Sequence, residues 1–403
     1  MRDFNEAVNL KLKARDFNFQ GVWFPEKASF AGPFTTDVNF AEAIFSDNIN
    51  FANLTFISKA DFSQATFQGT ANFNDAEFQD AANFSGSRFL KNADFINASF
   101  KQKADFSYSE FCAEANFETT FDHDVDFLYV FFRGEAYFRY AFFNGPANFR
   151  SASFKDYLRF GGEELSKEAE FDFQYARIEK PERIAFHSLA LRPYWFVNVD
   201  TRRFDFVNVD WQWKTLSIES EVKKLEDKKV TAVHRLLAIA FRDLALNAEE
   251  DQRFEEASRF RYLSSQLWRK NEPHDLLTSI IGWLYWAASG YGARVFRALI
   301  VLVGIWLIFA ALYTSGTLYT HVGFEAEPTK SSSTNSAAED RSPAMAPLAP
   351  AKSLIYSLNT MTLQKPDPRP LTSIAKGLVL LETIIGPIQA ALLALAIRRK
   401  FMR

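Results

Sequence analysis

Cysteine is nearly absent, with Cys112 alone in 403 residues. That excludes a disulfide framework and any cysteine-rich metal site. The five histidines, His123, His187, His234, His274 and His321, are scattered, and none stands at ligand spacing from another or from Cys112, so no metal is expected. A surplus of positive charge is also missing: the net charge is -3 and the pI is about 6.1. A nucleic-acid binder held by basic charge is therefore not expected. The chain lacks a nucleophile elbow, a phosphate loop, a dinucleotide fingerprint and a zinc-protease motif, so neither an enzyme nor a cofactor is expected. The mean hydropathy of -0.17 is too polar for a polytopic membrane protein, so any membrane part must be local. The N-terminal string MRDFNEAVNLKLKARDF is charged from the start, and no secretory leader is expected. Disorder is excluded by a hydrophobic content of 48%.

What the chain has in excess is phenylalanine, 44 residues of 403. Phe recurs at 40, 45, 51, 56, 62, 67, 73, 78, 84, 89, 95, 100, 106, 111 and 117, in steps that alternate five and six. After one short step to Phe121 the ladder resumes at Phe127 and runs to Phe171. Two positions before most of these lies a small residue, such as Ala60, Ala65, Ala71, Ser87 or Ala104. A helix needs apolar spacings of three and four, and a flat strand needs two. Five and six fit a chain that turns a corner every five or so residues, with one large and one small side chain inward per side. Four sides make a square coil of roughly 22 residues, stacked at about 4.8 Å on its neighbours. Each buried Phe contributes roughly 1.5–3 kcal/mol.

The pattern ADFSQATFQGTANFNDAEF resembles pentapeptide-repeat proteins. The resemblance implies a right-handed quadrilateral β-helix over residues 17–215, degenerate after 175. Its flat faces imply a protein partner on the β-helix. Acidic members of that family mimic DNA; here residues 37–160 hold 17 Asp and Glu against 10 Lys and Arg, a net of -7, which is mild. No nucleic-acid partner is expected.

Beyond the ladder the periodicity becomes helical. Val233, Leu237, Phe241 and Leu244 share one face, and Phe254, Ala257, Phe260, Leu263 and Leu267 share another. The spacing predicts an α-helical hairpin over 219–271 that covers the last coil, which would otherwise be a sticky edge. Residues 276–297 carry Trp283, Tyr285, Trp286 and Tyr291, suited to the headgroup layer, and predict an interfacial amphipathic helix. Two apolar runs, 298–318 and 372–397, are long enough to cross roughly 30 Å of hydrocarbon, which predicts a two-helix α-helical membrane domain. Arg294 and Arg297 precede the first run; Arg398, Arg399, Lys400 and Arg403 follow the second. By the positive-inside rule both termini are cytoplasmic, as in a multi-pass protein of a bacterial inner membrane. Residues 319–350 read as a low-complexity extracytoplasmic loop.

Residues 351–370 begin with a helix too short to span and end at Pro366, Pro368 and Pro370. Outer helix, re-entrant segment and inner helix form the layout of a two-helix cation channel. The strings SLNTMTLQKPDPRP and LLETIIGPIQAALLALAIRRKFMR resemble the ion-channel-type domain fused to some pentapeptide-repeat proteins. Potassium channels carry TVGYG at the filter, whereas this chain has TMTLQ, Thr360 to Gln364, with no glycine; a carbonyl-lined potassium filter is not carried over. The resemblance implies a homo-oligomer in membrane lipid, a tetramer by analogy, with a monovalent cation as candidate permeant. The alternative is a membrane-tethered scaffold without conduction.

The candidate pore-lining residues are Thr360, Thr362, Gln364, Glu382 and Gln389. A carboxylate at the bilayer centre costs about 2.5–3.5 kcal/mol, so Glu382 should face a cavity, a neighbouring helix or another subunit. Gln389, two turns on, shares its face. Gly386 and Pro387 between them form a candidate hinge, since proline frees a backbone carbonyl.

Overall fold

The computed structural model describes residues 2–162, 169–271, 276–291, 294–314, 324–325, 345–346, 348–365, 367 and 369–401. The chain divides into two compact units, Met1–Arg253 with Gln266–Asn271, and Phe254–Ser265 with Glu272–Arg403.

The first unit is a β-solenoid of about eight turns. Each side of a coil carries a strand of two to four residues, and the strands of successive coils stack into parallel sheets. Among the described residues there are four such sheets, of eight, seven, eight and five strands. The register repeats every 22 residues over the regular coils: Ala82 pairs with Ala104, and Phe89 with Phe111. The interior is a set of phenylalanine columns. Phe62 and Phe84 stack 4.8 Å apart at 1°, Phe67 and Phe89 4.5 Å apart at 3°. Columns meet edge to face, as Phe73 and Phe84 do at 5.4 Å and 90°, the arrangement the ring quadrupole favours.

The polar residue before a ladder Phe closes the corner. The side chains of Asp61, Asn72, Asn83, Asp105 and Asn148 each accept from the backbone N–H two residues on, at 2.9–3.0 Å. The following residue then turns through the left-handed region, at Gln64, Asp75, Gly86 and Tyr108 among others. This is the side-chain mimicry of a turn that favours Asx residues there. The short step between Phe117 and Phe121 removes one residue from a coil, so Ser99 pairs with Thr120; the stack survives, with Phe100 and Phe121 5.2 Å apart. Thr119 stands where other coils place Ala or Ser, buried, with its hydroxyl donating to the Phe95 carbonyl.

The coils continue past 175 with altered contents. Ile184–His187 and Asp205–Val207 extend one sheet, Phe196 stacks on Phe173, and a last bridge joins Ala190 to Asp210. A helix that the sequence reading did not predict, α1 (Arg2–Lys13), precedes the first coil. Helices α2 (Ile218–Asp227) and α3 (Val233–Glu250) pack on the turn Pro193–Phe196 of the closing coils. Glu221 of α2 accepts from the Tyr194 backbone N–H at 3.1 Å, and Asn247 of α3 donates to the carbonyls of Thr201, Arg202 and Phe204. The hairpin expected over 219–271 is thus three helices, α2, α3 and α4 (Phe254–Asn271).

The second unit is helical. Helices α5 (Leu276–Ser289), α6 (Val295–Thr314), α7 (Pro350–Met361) and α8 (Ser373–Phe401) pack together, with α7 against both α6 and α8. Phe309, Tyr313, Leu348, Tyr356 and Ala375 form their shared core. Within the expected 319–350 loop, Phe324–Glu325 pairs antiparallel with Met345–Ala346; its residues 319–323, 326–344 and 347 lie outside the described residues. So do Pro366, Pro368 and Arg403, and the side chains of Arg399 and Lys400.

Candidate functional site

Helix α6 and residues 373–398 of α8 are each long and apolar enough to cross a membrane. Little of their surface is covered: 17% of the most apolar window of α6 is buried, and 22% of that of α8. A core helix of a water-soluble protein would be mostly enclosed. Ile300 and Ile308 on α6, and Leu380, Ile384 and Ile388 on α8, are all exposed.

Inside this apolar unit lies a small polar centre. Glu382 of α8 is fully buried. Its carboxyl accepts from the Tyr313 hydroxyl of α6 at 2.6 Å and from the Ser357 hydroxyl of α7. Ser357 also reaches the Trp306 carbonyl at 3.2 Å, and the Trp306 indole N–H donates to the Leu354 carbonyl at 3.0 Å. One carboxyl therefore ties together three helices. Burying a polar group without partners costs several kcal/mol in an apolar surround, and here each carboxyl oxygen has a donor.

One turn below, Gly386 receives the end of α7. A Cβ there would lie 2.9 Å from Met361 Cγ and 3.1 Å from its Cα, so only glycine permits this approach. Helix α8 runs unbroken through Pro387. Gln389 is buried, and its amide donates at 2.9 Å to both the Ala288 carbonyl near the end of α5 and the Ala298 carbonyl of α6. Glu382 and Gln389 thus both face neighbouring helices of the same chain. Thr360 is also buried, bonded back to the Tyr356 carbonyl at 2.9 Å.

Thr362 and Gln364 are exposed and stand apart from that centre. Leu363 between them adopts a left-handed backbone (φ 61°). The N–H groups of Thr362, Leu363 and Gln364 fold back onto the carbonyls of Leu358, Thr360 and Asn359. This closes α7 as a left-handed C-cap, in the role glycine usually fills.

Sequence reasoning found Glu382 through its charge. It missed Tyr313, Ser357 and Trp306, which bear no charge in an apolar run. The available signal was the requirement itself: a buried carboxyl needs donors, and α6 offers few polar side chains, Tyr313 among them. Arg297 of α6 stands over the Trp286 ring of α5 at 5.0 Å, and Arg294 over the Tyr262 ring of α4 at 4.6 Å. Among the described residues no group of three or more His, Cys, Asp or Glu is placed to hold a metal ion.

In the capped solenoid the notable titrating group is Glu221. It is buried on the inner face of α2 with the Arg192 guanidinium 3.4 Å away. Burial outweighs the Tyr194 N–H and the Arg192 charge and pushes its carboxyl up to about 7.

The inward Phe columns, small partners and Asx-closed corners define a quadrilateral β-solenoid joined to apolar helices. The family described as pentapeptide repeats (nine copies) matches residues 40–88 and 55–98, so this part of the solenoid is built of pentapeptide repeats. Neither a curated protein nor a solved structure matches the chain.

Proposed function

We propose that the chain is a subunit of an oligomeric, channel-like membrane protein, without enzymatic activity, whose solenoid serves as a cytoplasmic sensor or scaffold. The observation that carries this reading is α7. Twelve residues rise only about 18 Å, too little for roughly 30 Å of hydrocarbon. Yet α7 is held against both membrane-length helices by Trp306, Ser357 and Glu382, and it ends in the exposed stretch Thr362–Lys365. A simple two-helix anchor has no use for a third, half-length helix.

Two spans cannot enclose a pore, so several copies are required, four by analogy with two-helix cation channels. The exposed apolar faces of α6 and α8 suit lipid on one side and further copies on the other. Thr362 and Gln364 are the polar side chains such a pore would present to a monovalent cation. The basic residues flanking α6 and α8 favour cytoplasmic termini in a bacterial inner membrane. The test is cation flux through liposomes holding the full-length protein, with the subunit number counted by native mass spectrometry in detergent. Flux from a tetramer supports the reading; a folded oligomer that passes no monovalent cation under any applied potential overturns it.

A second reading, a membrane-tethered scaffold, is favoured by one observation. The stretch that stands in the place of a potassium filter folds back as a helix cap, with the N–H groups of Thr362, Leu363 and Gln364 donating to the carbonyls of Leu358, Thr360 and Asn359. A silent monomer or dimer would select this reading.

A further inference from the structure

The outer surface of the solenoid is not uniform. One corner column runs through Glu42, Gln64, Gly86, Tyr108, Tyr129, Ser151, Tyr175 and Asn198, each with a left-handed backbone. Successive members are joined by the coil-to-coil ladder, as Gln64 N–H to the Ser85 carbonyl and Tyr129 N–H to the Arg150 carbonyl. Gly or Asn is the residue type such a backbone favours, and a bulky side chain there is strained. Three tyrosines occupy it nevertheless, with rings that gain little from the fold: Tyr108 is 62% exposed, Tyr129 53% and Tyr175 44%. Tyr108 and Tyr129 stack on each other at 5.2 Å. A strained backbone that sets an aromatic ring in water is a feature stability alone does not select.

Beside this column opens a groove of about 800 Å³, lined among others by Tyr129, Phe131, Arg150, Tyr175, Arg177 and Asn198. The Arg150 guanidinium lies over the Tyr175 ring at 5.3 Å. Neighbouring cations are already matched, Arg133 with Glu110 and Lys155 with Glu179. Among the described residues neither Arg150 nor Arg177 has an ion-pair partner, and no Asp or Glu lines the groove. Two unmatched guanidinium groups set among aromatic rings form a receptor for carboxylates.

We propose that this groove binds an extended acidic peptide segment of a partner protein. The tyrosine rail spans three coil steps from Tyr108 to Tyr175, about 14 Å at strand spacing, the length of roughly four extended residues. The backbone of the coils is already paired within the sheets, so recognition falls to side chains, with rings packing against the peptide and arginines taking its carboxylates. A nucleic acid would also meet rings and arginines. It is disfavoured because a nucleic acid would carry its charges past the two arginines onto the acidic rod, which holds 17 Asp and Glu against 10 Lys and Arg over residues 37–160, whereas a short peptide ends within the groove. The proposal is independent of whether the helices conduct.

The test is fluorescence anisotropy of a fluorescein-labelled hexaglutamate peptide added to the full-length protein in detergent. Saturable binding is expected. The R150E/R177E variant should weaken it by about tenfold or more. The Y129N/Y175N variant places a left-handed-tolerant residue at each corner, so it should fold at least as well while weakening binding by about threefold or more. The proposal is overturned if hexaglutamate does not bind, if both variants bind it like the parent, or if an oligothymidylate of the same length displaces it at equal or lower concentration.

Discussion

Replacing Tyr313 by Phe removes one oxygen and leaves the ring. The ring is held by its edge contact with Tyr356 at 5.2 Å and 83°, so packing should survive. What is lost is the 2.6 Å bond to Glu382, leaving one carboxyl oxygen buried without a donor. In water-soluble proteins a bond to a charged group is worth about 1.5–3 kcal/mol. Side-chain bonds between membrane helices average about 0.6 and reach about 1.7 kcal/mol. Full burial of this carboxyl puts the expectation near the top of that membrane range, about 1–2 kcal/mol. Ser357→Ala should cost a similar amount. Because both hydroxyls serve one carboxyl, the double variant should depart from additivity by about 0.5 kcal/mol or more. The assay is unfolding of the full-length protein by sodium dodecyl sulfate in mixed micelles, followed by loss of helical circular dichroism. The reasoning fails if both single variants unfold within about 0.3 kcal/mol of the parent. If Glu382→Ala abolishes flux at the same time, Glu382 faces the conduction path in the assembled protein instead of α6 and α7.

In the solenoid, Phe84→Ala should cost about 3–5 kcal/mol, because Phe84 is fully buried between Phe62 and Phe106 at 4.8 and 4.9 Å. Arg88→Ala, on the exposed face of the same coil with a single partly screened pair to Glu110, should cost under about 1 kcal/mol; equal effects in urea unfolding of the full-length protein would refute the columnar core. Glu221 gives a pH dependence. Its folded value is raised to about 7, so between the ordinary carboxylate range and pH 7 the folded state binds more protons than the unfolded state, and stability falls as pH rises through that window. The difference from an ordinary glutamate amounts to about 3 kcal/mol. Glu221→Gln should flatten the melting profile between pH 4.5 and 7, and an unchanged slope would sink the assignment.

The solenoid was readable because its rule is local. A Phe every five or six residues, a small residue two before most of them and an Asp or Asn one before alternate Phe are all set within one side of a coil, and the 22-residue register follows from repetition. Even the missing residue before Phe121 is visible in the spacing. The cap was less readable: in IESEVKKLED only Ile218, Val222 and Leu225 turn inward, with Glu221 buried beside them, and a buried glutamate looks like surface in a sequence. The helical unit was readable in length and hydrophobicity but not in its contacts. Tyr313 and Ser357 reach Glu382 across 69 and 25 residues, and no periodicity connects them. The left-handed corners at Tyr129 and Tyr175 were hidden for another reason, since tyrosine carries no mark of the backbone it adopts.

The two units differ in how far each completes itself. In the solenoid the rings are enclosed, the coil backbones are paired with one another, and α2 and α3 close the last turns, so outer side chains other than the Asp and Asn of the corners are released from structural duty. Arg150 and Arg177 use that freedom, standing without counter-charges among the described residues of an otherwise acidic rod. The helical unit has the opposite balance. Its polar groups are matched inside the chain through Glu382 and Gln389, while its apolar surface is left open on α6 and α8. Water cannot cover that surface without a large unfavourable term, because each exposed Leu or Ile forgoes roughly 1.5–3 kcal/mol of burial. Lipid is one surround that can supply the missing contacts, and under the proposed function further copies of the chain supply the rest. The proposed oligomer is therefore to be sought through α6, α7 and α8, and the proposed acidic peptide partner through the tyrosine-lined face of the solenoid.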